Sequence, residues 1–486
     1  MNKRMILYII GHLMIFGGCF LSVPFLIGMI YGESTAYSYL ICSIVCLLVG
    51  LLITRYKPED YTIYLKEGCI VTALSWILLS FVGAIPLYVS KEIPDFLDAF
   101  FEVVSGFTTT GASILDDVES LSKAALFWRS FTHWIGGMGV LVFLLAIIPI
   151  SGGGSINIMK AESPGPSVGK FVPRLKETAR ILYIIYFCMT AIMFVMLLFG
   201  GIGAFESALL SLATAGTGGF GFLGDSIASF SPYVKWVITI FMILFGVNFN
   251  VYYLLIFRRS IKALKFEEGM LYAAIIITSI TTITLSNLSL YGSIFDNLTD
   301  SSFQVASLIS STGFCTCDFD AWGNLSKTVL VFCMFVGACA GSTGGGLKIS
   351  RVLIMLKSAR KNIKTYVQPK LVQKIKIDDK TISDEMVNSV NAYFAIFTII
   401  FVGSLLLISF EGLDFTTNFT AVLATINNIG PGLSKVGPAC NFSVYGPFAK
   451  CVLIFDMLAG RLEFFPLLVL LQPNNLMELF RVNHKK

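Results

Sequence analysis

About ten apolar runs, each long enough to cross a lipid bilayer, set the strongest limit on how this chain can fold. A spanning helix needs about 20 predominantly apolar residues. Hydrophobic residues make up 55% of the 486-residue chain and charged residues 13%, against about 25% charged residues in soluble domains. No soluble core hides this much apolar surface, so we expect a bilayer around the chain. The runs lie near residues 5–31, 36–55, 66–90, 124–150, 178–203, 231–257, 268–292, 325–350, 385–410 and 446–472.

Basic residues at every second boundary between these runs give the chain a direction in the membrane. Loops that stay in the cytoplasm carry an excess of Lys and Arg, so we expect both termini to be cytoplasmic. The alternate loops are poor in Lys and Arg. The first run is too long for the apolar part of a signal peptide, and we expect it to be retained. The basic residues are Lys3 and Arg4; Arg55 and Lys57; Lys160, Lys170, Arg174 and Lys176; Arg258, Arg259, Lys262 and Lys265; Arg351, Lys357, Arg360, Lys361, Lys364, Lys370, Lys374, Lys376 and Lys380; and Arg481, Lys485 and Lys486.

One pattern recurs four times after the first two runs. In each copy, a spanning run is followed by a shorter semi-polar segment, a loop of the Gly/Thr/Ser type, and another spanning run. The short segments cannot cross a bilayer, so we expect each to enter the membrane from outside and to end within it. They are Phe96–Phe107, Phe205–Ala215, Ser302–Ser310 and Thr416–Ile426. The first, second, third and fourth loops that follow them cover residues 108–113, 216–221, 311–314 and 427–432.

These patterns predict an all-α polytopic membrane protein. We expect four tandem helix–pore-loop–helix repeats in a pseudo-fourfold arrangement around one pore, with an N-terminal helix pair appended to them. The expected boundaries are 1–60 for the helix pair, 61–155 for repeat 1, 156–265 for repeat 2, 266–380 for repeat 3 with a gating loop and a basic cytoplasmic segment, and 381–486 for repeat 4.

The four loops are typical of a pore for a dehydrated cation. Irregular backbone at membrane depth is tolerated only where protein buries it or water reaches it. Backbone carbonyls can replace the hydration shell of potassium, and glycine permits the backbone angles that aim them inward. A helix that ends at such a loop also points its partial negative charge at the ion. The candidate potassium-binding residues are Thr110, Gly111, Thr217, Gly218, Thr312, Gly313, Ile429 and Gly430.

A Gly-rich segment, residues 340–346, interrupts the run near 325–350. So many glycines do not favour a continuous helix. Two interpretations stay open at this point: a helix kink at a close packing contact, or a flexible strand below the loops that acts as a gate. The candidate gating residues in this segment are Gly341, Ser342, Thr343, Gly344, Gly345 and Gly346.

The last run contains three charged residues, Asp456, Arg461 and Glu463. A charge at membrane depth is costly and usually functional. Arg461 either forms a structural ion pair with Glu463, or it faces the pore near the Gly-rich segment as an electrostatic barrier or latch.

Other polar residues in the apolar runs favour structural roles. His133 precedes Trp134 and two glycines, so close helix packing is favoured over a proton relay. The eleven cysteines show no zinc-binding spacing, and most lie singly in apolar runs. Cys315 and Cys317 lie beside the third loop, and a disulfide between one of them and Cys440 is not decided by the sequence.

These motifs resemble the Trk/Ktr/HKT superfamily of potassium transporters, and in particular its bacterial TrkH/TrkG branch. The resemblance covers essentially the whole chain, and the additional N-terminal helix pair is typical of this branch. The segments that carry it are Ser105–Ala112, His133–Gly139, Thr217–Phe220, Cys339–Lys348, Asn427–Gly432 and Gly460–Glu463.

The resemblance implies a selectivity filter at Gly111, Gly218, Gly313 and Gly430, and a gate formed by the Gly-rich segment and Arg461. It implies a homodimer in the bacterial inner membrane, with one pore in each protomer. It also implies a TrkA-like cytoplasmic subunit that binds nucleotides and controls opening. The basic stretch from Arg351 to Lys380 is its expected docking surface or an ordinary cytoplasmic loop. Glycine at position 111, where some sodium-transporting plant relatives have serine, favours potassium, with sodium and rubidium as further permeant ions.

Three classes of function compete. A gated passive pore is favoured because no paired carboxylates lie along the expected conduction path. A proton- or sodium-coupled symporter needs an ionisable pair or a second ion site at the midplane. A membrane enzyme is disfavoured because no catalytic motif lies on adjacent runs. We expect no cofactor, with potassium as the bound substrate, and no nucleic-acid partner.

Overall fold

The computed structural model describes residues 1–139, 175–259, 263, 265–370 and 373–480, without the side chains of 175–178 and 480. Some of the sequence predictions concern residues outside these ranges. The predicted boundary near residue 155 and the basic residues Lys160, Lys170, Arg174, Lys262, Arg481, Lys485 and Lys486 lie outside the described residues.

Six helices among the described residues are long and apolar enough to cross a membrane, in agreement with six of the predicted runs. The chain is therefore a helical polytopic membrane protein. The six are α1 (Lys3–Tyr31), α2 (Ala36–Thr54), α3 (Leu65–Val89), α6 (Leu175–Phe199), α10 (Glu267–Ser286) and α14 (Asp384–Ile408).

The other four predicted runs are not single continuous helices; the interruption predicted for the run near 325–350 is present, and the breaks in the other three were not predicted. Each is the second run of a repeat, and each begins with a helix of 13–15 residues that then stops. In the second repeat the two halves meet at an angle of 91°. The helices are α5 (Lys123–Gly137), α8 (Pro232–Phe245) with α9 (Phe249–Ile256), α12 (Asn324–Val336) with α13 (Ile349–Val367), and α16 (Pro447–Arg461) with α17 (Phe465–Leu471).

Close packing against the short helices accompanies two of these breaks. A Cβ added at Gly136 of α5 would overlap the carbonyl group of Phe107, and one added at Gly460 of α16 would overlap that of Ile426. Small residues let two backbones approach this closely inside a membrane. Apolar composition alone predicts the run but not where it stops.

The four short helices end where the sequence predicts, each within one residue. The third begins eight residues earlier than predicted, at Ile294, after Ser293, whose hydroxyl caps the backbone N–H of Asp296. The short helices are α4 (Phe96–Phe107), α7 (Ala204–Ala215), α11 (Ile294–Ile309) and α15 (Phe415–Ile426).

The N-terminal helix pair packs against the first repeat. Within the pair, a Cβ at Gly50 of α2 would lie 2.7 Å from the carbonyl oxygen of Gly11 in α1. The Glu33 carboxylate, just after α1, accepts the backbone N–H groups of Lys123 and Ala124 at 2.6 and 3.1 Å. These contacts satisfy donors at the start of α5 and fix α1 beside it.

The part of the chain between α13 and α14 contains the two strands among the described residues. β1 (Lys376–Ile377) and β2 (Lys380–Thr381) form a two-residue antiparallel hairpin. The last described helix is α18 (Pro473–Phe480). Its Glu478 carboxylate forms ion pairs with Lys66 at 2.8 Å and with the N-terminal amino group at 2.9 Å. These two cations hold the pKa of Glu478 down at about 2.

Candidate ion-binding loops and gating segment

Each short helix passes into its loop through the same backbone turn. The first position of the turn is a non-glycine residue at positive φ: Thr109, Thr217, Ser311 and Asn428, with φ of 57°, 53°, 58° and 54°. The second position donates its N–H to the carbonyl five residues earlier, at 2.8, 3.0, 2.8 and 2.9 Å for Thr110, Gly218, Thr312 and Ile429. The third is a glycine at positive φ: Gly111, Gly219, Gly313 and Gly430, with φ of 78°, 77°, 87° and 94°. Four copies of one turn follow from four copies of one sequence pattern.

The third-position glycines pack the loops into a closed ring. A Cβ at Gly111 would overlap the carbonyl oxygen of Gly218, and one at Gly219 would overlap that of Thr312. A Cβ at Gly313 would overlap the carbonyl oxygen of Ile429. The series closes at Gly430, whose Cβ would lie 2.8 Å from the carbonyl oxygen of Thr110. Every loop therefore touches the second-position carbonyl of the next one.

The ring corrects the sequence register of the second loop. The sequence interpretation paired Gly218 with Gly111, but the glycine at positive φ is Gly219, and Gly218 is equivalent to Thr110. Two consecutive glycines make both registers compatible with the sequence. Gly218 is glycine for a steric reason, since a Cβ there would overlap the imidazole ring of His133.

A cavity of about 110 Å³ opens beside the ring. Its lining includes the four third-position glycines, so all four loops border one space. Its wall also includes Pro431, Pro438, Cys315 and Cys440. All eleven cysteines are described, and none forms a disulfide.

A buried ion pair supports the first two loops from behind. The Glu102 carboxylate in α4 accepts Arg129 Nε at 2.8 Å, the Ser113 hydroxyl at 3.0 Å and the Ile114 backbone N–H at 3.1 Å. The Arg129 side chain also donates to the Gly221 carbonyl at 3.1 Å. Sequence reasoning missed Arg129. A lone arginine inside an apolar run was the available signal.

His133 is fully buried between the same two loops. Its Nδ1 lies 2.8 Å from the Gly106 carbonyl oxygen, and its Nε2 lies 3.3 Å from the Phe220 backbone nitrogen. The ring therefore contacts the end of α4 on one side and the second loop on the other.

The third and fourth loops are held by different side chains. Ser307 donates its hydroxyl to the Phe314 carbonyl at 2.7 Å. Asn428 donates its amide to the Thr110 hydroxyl at 3.0 Å and to the Met457 carbonyl at 2.9 Å. The fourth loop thus reaches the first one directly.

The Gly-rich segment lies in a non-helical stretch between α12 and α13, so the kink interpretation is wrong. Gly345 donates its N–H to the Ser311 hydroxyl at 2.5 Å, and Gly346 donates to the Asn427 carbonyl at 3.1 Å. The segment therefore lies directly against the third and fourth loops.

The other end of the Gly-rich segment is tied to neighbouring helices. The Gly341 carbonyl accepts the Phe249 N–H at 3.0 Å, next to the break between α8 and α9. The Ala340 N–H donates to the buried Glu268 carboxylate of α10 at 2.6 Å. Lys348 donates to the Gly344 carbonyl from the end of the stretch.

Arg461 lies between the first loop, the end of α5 and the Gly-rich segment. It donates to the Thr343 carbonyl at 3.1 Å, the Gly137 carbonyl at 2.9 Å and the Thr109 hydroxyl at 3.4 Å, and also to the Gly136 carbonyl. The structural ion pair with Glu463 is therefore the wrong alternative.

Glu463 pairs instead with Arg351, the third residue of α13, and both side chains are buried. The Arg351 guanidinium also lies 3.9 Å from the centre of the Tyr393 ring. The pair joins α13 to the break between α16 and α17.

Long apolar helices and re-entrant loops around one shared space define a membrane protein that passes small solutes or ions. Comparison with known proteins gives the family: the chain belongs to the TrkH family of cation transport proteins, whose family model matches residues 37–477. It is a transport protein and not an enzyme.

Relatives match over nearly the whole chain. The Escherichia coli K12 protein named Trk system potassium uptake protein TrkH is 36% identical over 97% of this chain and 99% of its own. The one named Trk system potassium uptake protein TrkG, from the same strain, is 32% identical over 96% of this chain and 98% of its own. The crystal structure of the potassium transporter TrkH from Vibrio parahaemolyticus matches with a TM-score of 0.88 at 30% identity, covering 98% of this chain and 100% of that one.

Proposed function

We propose that this chain takes up potassium across the bacterial cytoplasmic membrane, as the ion-conducting subunit of a Trk-type system. The ring of four loops is the observation that carries the proposal. The relatives named as potassium uptake proteins support the choice of ion. Potassium is the substrate, with rubidium and sodium as further permeant ions, and no cofactor takes part.

The selectivity filter consists of the second and third positions of the four turns. Carbonyl oxygens there replace the hydration shell of the ion without a fixed charge. The C-terminal ends of the four short helices add a favourable potential for a cation. The filter residues are Thr110 and Gly111, Gly218 and Gly219, Thr312 and Gly313, and Ile429 and Gly430, and Thr217 precedes them at the first position of the second turn.

The gate consists of the Gly-rich segment, Gly341 to Gly346, and Arg461. Contacts of the segment with the third and fourth loops support a position directly below the filter. The Arg461 guanidinium beside the Thr343 carbonyl supports two roles at once. It latches the segment closed, and its charge repels a cation that leaves the filter.

Orientation and partners complete the proposal. Both termini are cytoplasmic, and the repeats have the boundaries expected from the sequence. Two copies of the chain form a homodimer with one pore each. The basic helix α13 lies on the cytoplasmic side, where a TrkA-like nucleotide-binding subunit docks and moves the Gly-rich segment through it.

Rubidium-tracer uptake into proteoliposomes that contain this chain alone tests the proposal. An internal potassium load provides the only driving force, without a proton or sodium gradient. We expect uptake that stops when the potassium diffusion potential is collapsed. Absence of rubidium uptake under every gradient, with and without a cytoplasmic subunit, would contradict the proposal.

A proton- or sodium-coupled potassium symporter is the second candidate, and one observation favours it. Asp456 of α16 is fully buried; one carboxylate oxygen accepts the Ser404 hydroxyl at 2.6 Å, and the other has no hydrogen-bond partner among the described residues. Buried carboxylates in spanning helices often carry protons. Under this alternative, uptake requires an imposed proton or sodium gradient, and Asp456→Asn removes that requirement or the uptake itself.

A further inference from the structure

The imidazole of His133 bridges the last turn of α4 and the second loop in one defined tautomer. The Gly106 carbonyl oxygen can only accept a hydrogen bond, so Nδ1 carries the proton. The Phe220 backbone N–H can only donate, so Nε2 is the acceptor. One neutral ring therefore satisfies the last turn of α4 and the residue that follows Gly219. Both of its polar atoms are used, and neither faces water, because His133 is 0% exposed.

Arg129, one helical turn earlier on α5, makes a parallel bridge between the same elements. It pairs with Glu102 of α4 and donates to the Gly221 carbonyl of the second loop. Its guanidinium carbon also lies 4.1 Å from the centre of the Phe220 ring, a distance at which cation and ring attract each other. Arg129 and His133 thus hold two consecutive residues of the second loop, Phe220 and Gly221.

The second loop is shaped to fit this bridge. The Gly218 position leaves no room for a Cβ, because the His133 ring fills that space. Gly218 also supplies the carbonyl oxygen against which Gly111 of the first loop packs. The imidazole of His133 therefore packs against Gly218, the residue that forms the contact between the first and second loops.

We infer that Arg129 and His133 form a brace that sets the spacing of the first and second loops, and through it the preference for potassium over sodium. The inference rests on the proposed function, since it assigns a specificity-determining role for the same filter to two positioning residues outside the loops. The brace is needed because the second loop lacks the polar side chain that supports the first from behind. Leu210 of α7 stands nine residues before Gly219, where Glu102 stands nine residues before Gly111.

Selectivity depends on this spacing by simple geometry. Sodium is smaller than potassium and binds well only when the carbonyl oxygens move closer together or lose their fixed directions. A loop held at both Phe220 and Gly221 resists such a movement. Without the brace, the carbonyl oxygens of the loop can move closer to the smaller sodium ion, so the affinities for potassium and sodium become more equal.

Three variants in proteoliposomes test the brace, with radioactive rubidium and sodium uptake measured in parallel. His133→Ala removes both hydrogen bonds, and we expect the rubidium-to-sodium uptake ratio to fall about tenfold, the change that corresponds to about 1.4 kcal/mol. His133→Asn keeps a donor for Gly106 but does not reach Phe220, and we expect an intermediate fall. Arg129→Lys keeps the charge beside Glu102 but loses the guanidinium contacts with the second loop, and we expect a fall of similar size to that of His133→Asn.

His12→Ala is the matched control. His12 lies in α1, where its ring contacts the Tyr8 carbonyl at 2.9 Å, away from the loops. We expect its uptake ratio to equal that of the wild type. Thermal unfolding of each purified variant separates selectivity from general stability, since a merely structural role lowers the unfolding temperature and leaves the ratio unchanged.

The outcomes of this experiment separate the inference from the proposed function. A wild-type protein without potassium-selective uptake contradicts the proposed function itself. A selective wild type with ratios within twofold of it in His133→Asn and Arg129→Lys overturns the brace and leaves the filter assignment intact.

Discussion

The ring of loops and the Gly-rich segment are both glycine-rich and non-helical. The ring is built from four copies of one loop, whereas the Gly-rich segment occurs once. In the ring, each loop makes the same contact with its neighbour, so four equivalent contacts share the constraint. The Gly-rich segment comes from the third repeat alone and is fixed by unlike partners, among them Glu268, Ser311 and Arg461. A closed set of equivalent contacts has no free end, whereas a single segment can move when one anchor is released.

This difference predicts two separable kinds of variant. Changes in the ring should alter which ion passes, and changes at the anchors of the Gly-rich segment should alter how much passes. The predictions below test this separation.

Gly111→Ser should have the largest effect. Serine pays a conformational cost of about 1–2 kcal/mol at positive φ, and its Cβ overlaps the Gly218 carbonyl. We expect the rubidium-to-sodium uptake ratio to fall by more than about tenfold, because the first and second loops must separate. Parallel tracer uptake in proteoliposomes measures it.

Gly32→Ser is the matched control for Gly111→Ser. Gly32 has a φ of 72°, close to that of Gly111, but has open space around it. It carries the same backbone cost without the overlap, so its uptake ratio should be unchanged. Equal ratios in Gly111→Ser and wild type would falsify the filter assignment.

Arg461→Ala should raise uptake in the absence of any cytoplasmic subunit. The substitution removes the hydrogen bonds from Arg461 to the Gly-rich segment, the first loop and the end of α5. We expect roughly a tenfold rise in basal rubidium uptake, corresponding to a barrier lower by about 1.4 kcal/mol, with an unchanged uptake ratio. Unchanged basal uptake in a folded variant would remove the gating role of Arg461.

Glu268→Ala should have a smaller effect in the same direction. It releases the N–H of Ala340, one backbone hydrogen bond of the Gly-rich segment. We expect basal uptake to rise roughly threefold, less than for Arg461→Ala because fewer contacts are lost.

Glu411→Ala controls for the loss of a carboxylate. Glu411 also accepts a backbone N–H, that of Gly446 at 3.1 Å, far along the chain from the Gly-rich segment. Its basal uptake should match that of the wild type. A rise equal to that of Glu268→Ala would mean that any lost carboxylate anchor increases uptake.

Gly403→Ala should have the smallest effect. It measures how much a glycine outside both regions lowers the stability of the protein. Gly403 lies in α14 with open space beside it. Alanine favours a helix over glycine by about 0.5–1 kcal/mol, so we expect a rise in the unfolding temperature of about 1 °C. Uptake and ion ratio should stay unchanged; a change in either would show that glycines away from the ring also affect transport.

Local sequence patterns predicted much of this architecture, because membrane spans and short helices leave local signals. Six spans and the ends of the four short helices could be read from apolar length and loop composition. Among the broken second runs, only the one near 325–350 announced its break, through its Gly-rich segment. The other breaks could not be predicted, because they accompany contacts such as that of Gly460 with Ile426, residues 34 positions apart in the sequence.

The candidate site shows the same limit. Three of the four third-position glycines were identified, but the Gly218-Gly219 pair needed the position of His133 to fix its register. The buried pairing of Arg351 with Glu463 joins residues over a hundred positions apart, and no local pattern indicates it. Local sequence predicts the secondary structure of a segment, but its contacts depend on residues far away in the chain.

The broken second helices have a mechanical consequence. A continuous helix would carry a push or twist from the cytoplasmic face straight up to the loops. Here α8, α12 and α16 stop and the chain restarts as α9, α13 and α17, so each run consists of two separate helices joined by a non-helical segment. In the proposed orientation, this division separates the outer part of each run from a push applied to its inner part. If the Gly-rich segment is the gate, as proposed, motion of α13 passes to it directly and to the break after α16 through the contact between Arg351 and Glu463.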